Sequence, residues 1–222
     1  PSSIAVPLAG CAWQSAEQGP KSGLPDLRQA AQLPAPARGG EVSPVMIDLF
    51  SGTGSASQYM VERGWRVVRV DLAPKTTDAT CADITGWHFA ERERERVDLL
   101  WASPPCDEFA RESMPWSKTG KSPDMNCVNA VFQLVHKIQP RYWVLENVRG
   151  AVPYLGLPTR RIGSVYLWGR FPLFLASPSF HKMKWHGRDA AGRLRRAMIP
   201  EQIPVGLAMA IEAEIAEEKK AT

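Results

Sequence analysis

Val45-Met-Ile-Asp48-Leu-Phe50-Ser51-Gly52-Thr53-Gly54 is a short apolar run that stops at a turn carrying two glycines. It reads as a buried strand feeding a tight turn, with residues 55–63 continuing as a helix. Outward from it the same alternation recurs. Residues 66–71 (R-V-V-R-V-D) form a β-branched strand, and residues 97–103 (V-D-L-L-W-A-S) another. In residues 129–138 the apolar positions Val131, Phe132, Val135 and Ile138 fit one helix face. Residues 141–145 and 164–168 are further strands, and residues 204–218 a terminal helix opened by Pro204. Strands this continuously apolar are buried on both faces, and βα repetition buries them that way. The fold class is therefore α/β, with a doubly wound, mostly parallel sheet.

At 222 residues, 44% hydrophobic and 23% charged, the chain has ordinary globular usage. That excludes a mostly disordered, collagen-like or coiled-coil protein. No run of about 18 apolar residues occurs, so no membrane span is expected. The first ten residues carry no signal-peptide pattern, so a cytoplasmic or nucleoid-associated location is expected. The four cysteines lack C-x-x-C spacing and the four histidines are scattered, so no metal site and no disulfide framework are expected. Residues 1–44 hold 12 of the chain's 36 glycines and prolines and read as an irregular arm with one short helix near residues 24–32. Residues 45–222 read as a single domain. The sign-alternating residues 91–96 read as a solvated surface segment.

The glycine turn alone supports a nucleotide cofactor or a plain tight turn. The dinucleotide pattern asks for glycine or alanine three residues after Gly54, where this chain has Ser57. Asp71 ends the next strand 19 residues beyond Gly52, where an acid can hydrogen-bond a ribose. Together they indicate an adenosine-containing cofactor, with Ser57 counting against a dinucleotide. Asp98-Leu-Leu-Trp-Ala-Ser-Pro-Pro-Cys106 then places a thiol just past a buried strand, held by two prolines. Its bland reading is a small core residue and its sharp one a reactive thiol. Residues 107–121, with Arg111, Trp116, Lys118 and Lys121, read as a long polar loop and candidate lid. Tyr142-Trp-Val-Leu-Glu146-Asn147-Val148 ends another strand in an acid. Glu146 is a capping or surface residue, or an active-site acid with a raised pKa. In a parallel sheet Cys106 and Glu146 would meet at one edge.

In this order the motifs resemble those of the cytosine-C5 DNA methyltransferases over roughly residues 45–218. Asp48-Leu-Phe-Ser-Gly-Thr-Gly54 resembles the first, cofactor-binding motif. Ser103-Pro-Pro-Cys-Asp-Glu-Phe109 resembles the nucleophile motif and Leu145-Glu-Asn-Val-Arg149 the E-N-V motif. Residues 205–211 (V-G-L-A-M-A-I) resemble the end of the final motif. The resemblance implies a sheet of the S-adenosylmethionine-dependent methyltransferase type. It implies S-adenosylmethionine as cofactor, held by Phe50, Ser51, Gly52, Thr53, Gly54, Asp71, Leu72, Asp83, Ile84 and Pro105. It implies a catalytic set of Cys106, Glu146, Asn147 and Arg149. Cys106 would add to C6 of a flipped-out cytosine, and Glu146 would hold the ring at N3 and the exocyclic amine.

The chain also departs from the family. Asp107 follows the nucleophile, Arg160 and Arg161 are out of the family's R-x-R register, and Pro200-Glu201 replaces a Gly-Asn turn. In place of a recognition domain only residues 170–198 are available, 29 in number. Nine Lys/Arg and one Asp nevertheless fall in residues 157–196, so the formal +4 of the whole hides +8 there. That region reads as a minimal DNA contact, with Lys182, Lys184, Trp185 and Arg188 joining Arg111, Arg160 and Arg161. Double-stranded DNA is the expected partner, and a protein partner supplying target recognition a further one. The alternatives are the same chemistry on RNA, transfer of another group to C5, and a non-catalytic DNA-binding relative.

Overall fold

The computed structural model describes residues 43–86, 96–113, 118–176 and 198–221. Its strands are β1 (Val45–Leu49), β2 (Arg66–Asp71), β3 (Thr80–Cys81), β4 (Leu99–Ala102), β5 (Tyr142–Asn147), β6 (Arg160–Ile162) and β7 (Val165–Arg170). They form one sheet in the order β3-β2-β1-β4-β5-β7-β6. β1 to β5 pair in parallel, and β7 lies antiparallel between β5 and β6. This is the doubly wound, mostly parallel sheet expected, with a reversed hairpin at one edge.

All five residues of β1 are buried because helices cover both faces. On one face Ile47, Leu49, Leu100 and Leu145 pack with Val128, Val131 and Leu134 of α3 (Asn126–Ile138). Those three residues recur at helical spacing, and Gln139 ends the helix in the left-handed conformation at φ 53°. On the other face Met46, Leu99, Trp101 and Val144 pack with Met60 of α1 (Gln58–Glu62) and with the terminal helix (Gln202–Ala221) through Ile203, Leu207 and Ile211. Each such apolar side chain contributes about 1.5–3 kcal/mol on burial. Polar ties reinforce that helix. Glu212 accepts from Trp65 Nε1 at 2.8 Å, Glu218 from Arg141 at 2.5 Å, and Glu214 from the Tyr142 hydroxyl. Exposed ion pairs contribute less, about 0–1 kcal/mol each, so packing dominates.

Three elements differ from expectation. The first helix is only Gln58–Glu62, because residues 55–57 remain in the turn. Residues 107–113 are not loop but a helix, α2 (Asp107–Ser113). The terminal helix starts at Gln202, with Pro204 in its first turn, where a missing N–H breaks no bond. A 3-10 turn (Arg149–Ala151) and the helix α4 (Val152–Leu155) follow β5, so the terminal helix is α5. Residues 1–42 of the arm and most of the basic insert lie outside the described residues. Among the described residues no helix is long and apolar enough to cross a membrane.

Candidate active site

β1 and β4 are neighbours in the sheet, yet the chain leaves them in opposite directions, toward β2 and toward β5. Loops diverging at such a switch point leave a crevice beyond the strands' carboxyl ends. Leu49 is in register with Ala102, and Ala102 with Leu145. The glycine turn, the Pro-Pro-Cys loop and Glu146 therefore leave adjacent strands at one level.

The glycine turn is tightly wound. Phe50, Gly52 and Gly54 have φ of 57°, 50° and 72°. Glycine takes this region freely, whereas a phenylalanine there stores about 1–2 kcal/mol of strain. The N–H of Gly52 donates to Asp71 Oδ2 at 2.8 Å, joining the turn to the end of β2. Asp71 Oδ1 accepts from the Ala73 N–H at 2.7 Å. Beneath the turn Asp48 is 1% exposed. Its Oδ2 accepts from the Ser57 hydroxyl at 2.5 Å, and Arg69 Nε donates to that hydroxyl at 2.9 Å. Asp48 Oδ1 and the Ser51 hydroxyl are buried without a hydrogen-bond partner among the described residues.

Burial pushes Asp48 from its ordinary 3.8 up to about 7, against the pull of the Ser57 hydrogen bond and Arg69. Between those two values the folded chain binds the proton more tightly than the unfolded chain. The resulting stabilisation is complete below about pH 4 and is lost as pH rises to about 7. Asp48→Asn is expected to remove this slope, raising stability at pH 8 relative to pH 5 by a few kcal/mol against wild type. Urea unfolding at both pH values measures it, and an unchanged difference between the two would refute it.

The nucleophile loop is anchored at both ends. The Ser103 N–H donates to Leu49 O at 3.2 Å, and Cys106 O accepts the first bond of α2, from the Ala110 N–H at 2.8 Å. Cys106 thus caps the positive end of α2, which favours negative charge there. Its thiol is not part of a disulfide and is partly exposed. Asn147 Nδ2 donates to Pro104 O at 3.2 Å in a buried bond, tying the E-N-V strand to this loop. Gly150 draws the two elements closer still, since a Cβ there would lie 2.0 Å from Phe109 O in α2. Glu146 is 9% exposed, which removes the surface reading of that acid.

Phe50, Ser51, Gly52, Thr53, Gly54, Asp71, Cys106, Glu146 and Asn147 thus gather at one edge. Leu72 is 52% exposed beside Asp71, and Pro105 is exposed next to Cys106. Asp83 Oδ1 accepts from the Thr85 N–H and hydroxyl at 2.9 and 2.8 Å, and Ile84 packs into the core. Arg149 is exposed at the start of the 3-10 turn, and Arg111 lies on α2 with Glu108 at 3.9 Å. Arg160 is in register with Leu167, and Leu167 with Glu146. Arg160 therefore shares a cross-strand row with the acid, although its spacing in sequence does not show it. Its guanidinium lies 4.3 Å from the Phe174 ring centre. That of Arg161 lies 5.3 Å from the Tyr166 ring centre, with Nε donating to Gly163 O at 3.0 Å. Trp116, Lys182, Lys184, Trp185 and Arg188 lie outside the described residues.

Ser55, Arg69 and Gly150 do not stand out in the sequence, and Ser57 does so only as a missing glycine. Ser55 Oγ accepts from the Ile199 N–H at 2.9 Å, docking the final motif on the glycine turn despite Pro200-Glu201. Only a hydroxyl at the missing-glycine position hinted at Ser57. Cys81 is disulfide-bonded, which corrects the expectation of no disulfide; Cys127 and Cys106 are not part of one.

No protein-family model matches the chain. In sequence it is similar to the probable DNA (cytosine-5)-methyltransferase of Frog virus 3 (isolate Goorha), at 30% identity over 115 residues. The match covers 46% of this chain, and the chain spans about half (52%) of the length of that curated relative. Among solved structures it is similar to the Entamoeba histolytica methyltransferase EhMeth, at 16% identity and a TM-score of 0.40, covering 62% of this chain and 56% of that one. It is also similar to a mutant of Spodoptera frugiperda DNMT2, at 20% identity and a TM-score of 0.35, covering 51% of this chain and 38% of that one.

Proposed function

We propose that this chain methylates C5 of a cytosine flipped out of double-stranded DNA, using S-adenosylmethionine and a covalent bond from Cys106 to C6. The observation that carries the reading is the buried bond from Asn147 to Pro104 O, which unites the thiol loop and the acid strand at the edge where the glycine turn opens.

The residues fit the cofactor. Gly52 and Gly54 bring bare backbone to the crevice, Asp71 stands beside them in hydrogen-bond contact, and the Ser51 hydroxyl is a buried group in want of a partner. Phe50 and Leu72 would hold the adenine, Asp71 the ribose, and Thr53 and the glycines the methionine end. The cofactor, once bound, supplies an electrophilic methyl group. Cytosine C5 is too weak a nucleophile to take it unaided. The Cys106 thiolate adds to C6, forming the S–C6 bond and moving the C5=C6 electron pair onto C5. Glu146 holds N3 and the exocyclic amine and stabilises the charge that builds on the ring. C5 then takes the methyl group, loses its proton to a base, and the electron pair of that C–H bond restores C5=C6 as Cys106 leaves. Flipping the base costs a few kcal/mol. Arg111, Arg149, Arg160 and Arg161, with Lys182, Lys184, Trp185 and Arg188 of the insert, would offset that cost at the phosphates. The insert is too short to fold alone, which leaves room for a partner protein that supplies target recognition.

Transfer of labelled methyl groups tests the proposal, with duplex DNA and tRNA offered in parallel and product mass identifying the group transferred. Label on C5 of cytosine in duplex DNA is expected. Transfer confined to tRNA would overturn the choice of substrate, and a product mass other than that of methyl the choice of group. With Lys182, Lys184 and Arg188 neutralised together, the dependence of DNA affinity on salt should flatten by about three phosphate contacts; an unchanged slope refutes the insert's role.

A further inference from the structure

Ser57 occupies the position where a dinucleotide turn carries its third glycine, and it is fully buried. Its hydroxyl lies 2.5 Å from Asp48 Oδ2, 2.9 Å from Arg69 Nε and 3.4 Å from Gly54 O. Arg69 is itself buried, and its remaining nitrogens reach Gln58 Oε1 at 3.2 Å and Asp78 Oδ2. A Cβ on Gly54 would lie 2.9 Å from Arg69 Nε, so the backbone of the turn rests on the guanidinium. The segment that meets the ligand is therefore propped from below by a buried cation, and Ser57 fixes that cation.

A serine hydroxyl has one proton and two lone pairs. Arg69 Nε takes one lone pair. The proton has two acceptors within reach, the Asp48 carboxylate and the Gly54 carbonyl. With Asp48 ionised the proton goes to the carboxylate, at the shorter distance. With a proton on Asp48 Oδ2, Asp48 donates to the second lone pair and the hydroxyl proton turns to Gly54 O. The charged groups acting on Asp48 are Arg69, Asp71 and Asp78.

We propose that Ser57, with Asp48 and Arg69, is a positioning residue for the glycine turn, and that the direction of its hydroxyl couples cofactor affinity to the protonation of Asp48. The inference rests on the reading that this turn holds S-adenosylmethionine. Calorimetry of the full chain with S-adenosylhomocysteine tests it, across the pH range around 7 in which Asp48 titrates. Ser57→Gly, which restores the dinucleotide pattern, should weaken binding about tenfold, the worth of one buried hydrogen bond to charged groups. Ser57→Ala should do the same. In both variants the change of affinity with pH seen in wild type should be lost. The rate of Cys106 alkylation should stay at the wild-type value, which separates a local effect from general loosening. If Ser57→Gly binds as tightly as wild type with the same pH profile, the proposal is overturned and the cofactor reading stands. If only the thermal midpoint falls, Ser57 is merely structural and the proposal is overturned. If wild type itself does not bind, the cofactor reading fails and takes the proposal with it.

Discussion

Replacing Cys106 by alanine is expected to reduce methyl transfer to cytosine by at least about 10³-fold while leaving S-adenosylhomocysteine binding intact. The size follows from the chemistry. Without sulfur at C6 the ring keeps its aromatic electron distribution, and C5 has no enamine character to present to the methyl group. The location follows from the fold. Cys106 lies one strand away from Glu146, at the head of α2, in a loop fastened to β1 by the Ser103 N–H and to β5 by Asn147. Removing the thiol disturbs none of these ties, so the variant should fold. Serine should rescue little, because an alkoxide at neutral pH is far scarcer than a thiolate. A substrate with fluorine at C5 adds a second readout. Fluorine cannot leave as a proton does, so wild type should remain bonded to the DNA and migrate as a covalent complex, whereas Cys106→Ala should not. Methyl transfer surviving in Cys106→Ala would sink the covalent mechanism.

The second large effect is expected at a residue with no functional group. Gly150→Ala sets a Cβ 2.0 Å from Phe109 O, well inside contact distance and against backbone rather than a flexible side chain. Either α2 or the 3-10 turn must retreat. We expect a stability loss of about 1–3 kcal/mol from the overpacking. We expect a further loss of about 10²-fold in methyl transfer, because a displacement of about 1 Å at Cys106 relative to Glu146 spoils the alignment of thiol and ring. Cofactor affinity should hardly change, since the glycine turn sits on β1 and β2. Thermal unfolding, methyl transfer and S-adenosylhomocysteine calorimetry on one preparation separate the three. Full activity in Gly150→Ala would show that the contact of α2 with the 3-10 turn does not set the geometry of the thiol.

Much of the fold was legible because its signals are local. An apolar run such as Val45–Leu49 can be buried on both faces only in a covered parallel sheet, and the alternation of strand and helix repeats that signal. Likewise the candidate site residues stand out locally: a thiol after two prolines and an acid after four apolar residues. α2 was less legible. Residues 107–113 are polar, and their helix forms because Phe109 has a core site to fill and Gly150 leaves room for the backbone beside it. The strand β6 is three residues long and, among the described residues, pairs with β7.

The sequence by itself determined the fold class and the order of the motifs and singled out the candidate thiol and acid, because composition, periodicity and turn chemistry are properties of neighbouring residues. Tertiary structure alone decided the rest. It put Arg160 in the row of Glu146, set the Ile199 N–H on Ser55, and turned Ser57 from a missing glycine into the bridge between Asp48 and Arg69. Each of these depends on sheet register or on burial. Both are set by contacts between residues far apart in the chain, and a buried charge such as Asp48 acquires its character only when the water around it is gone.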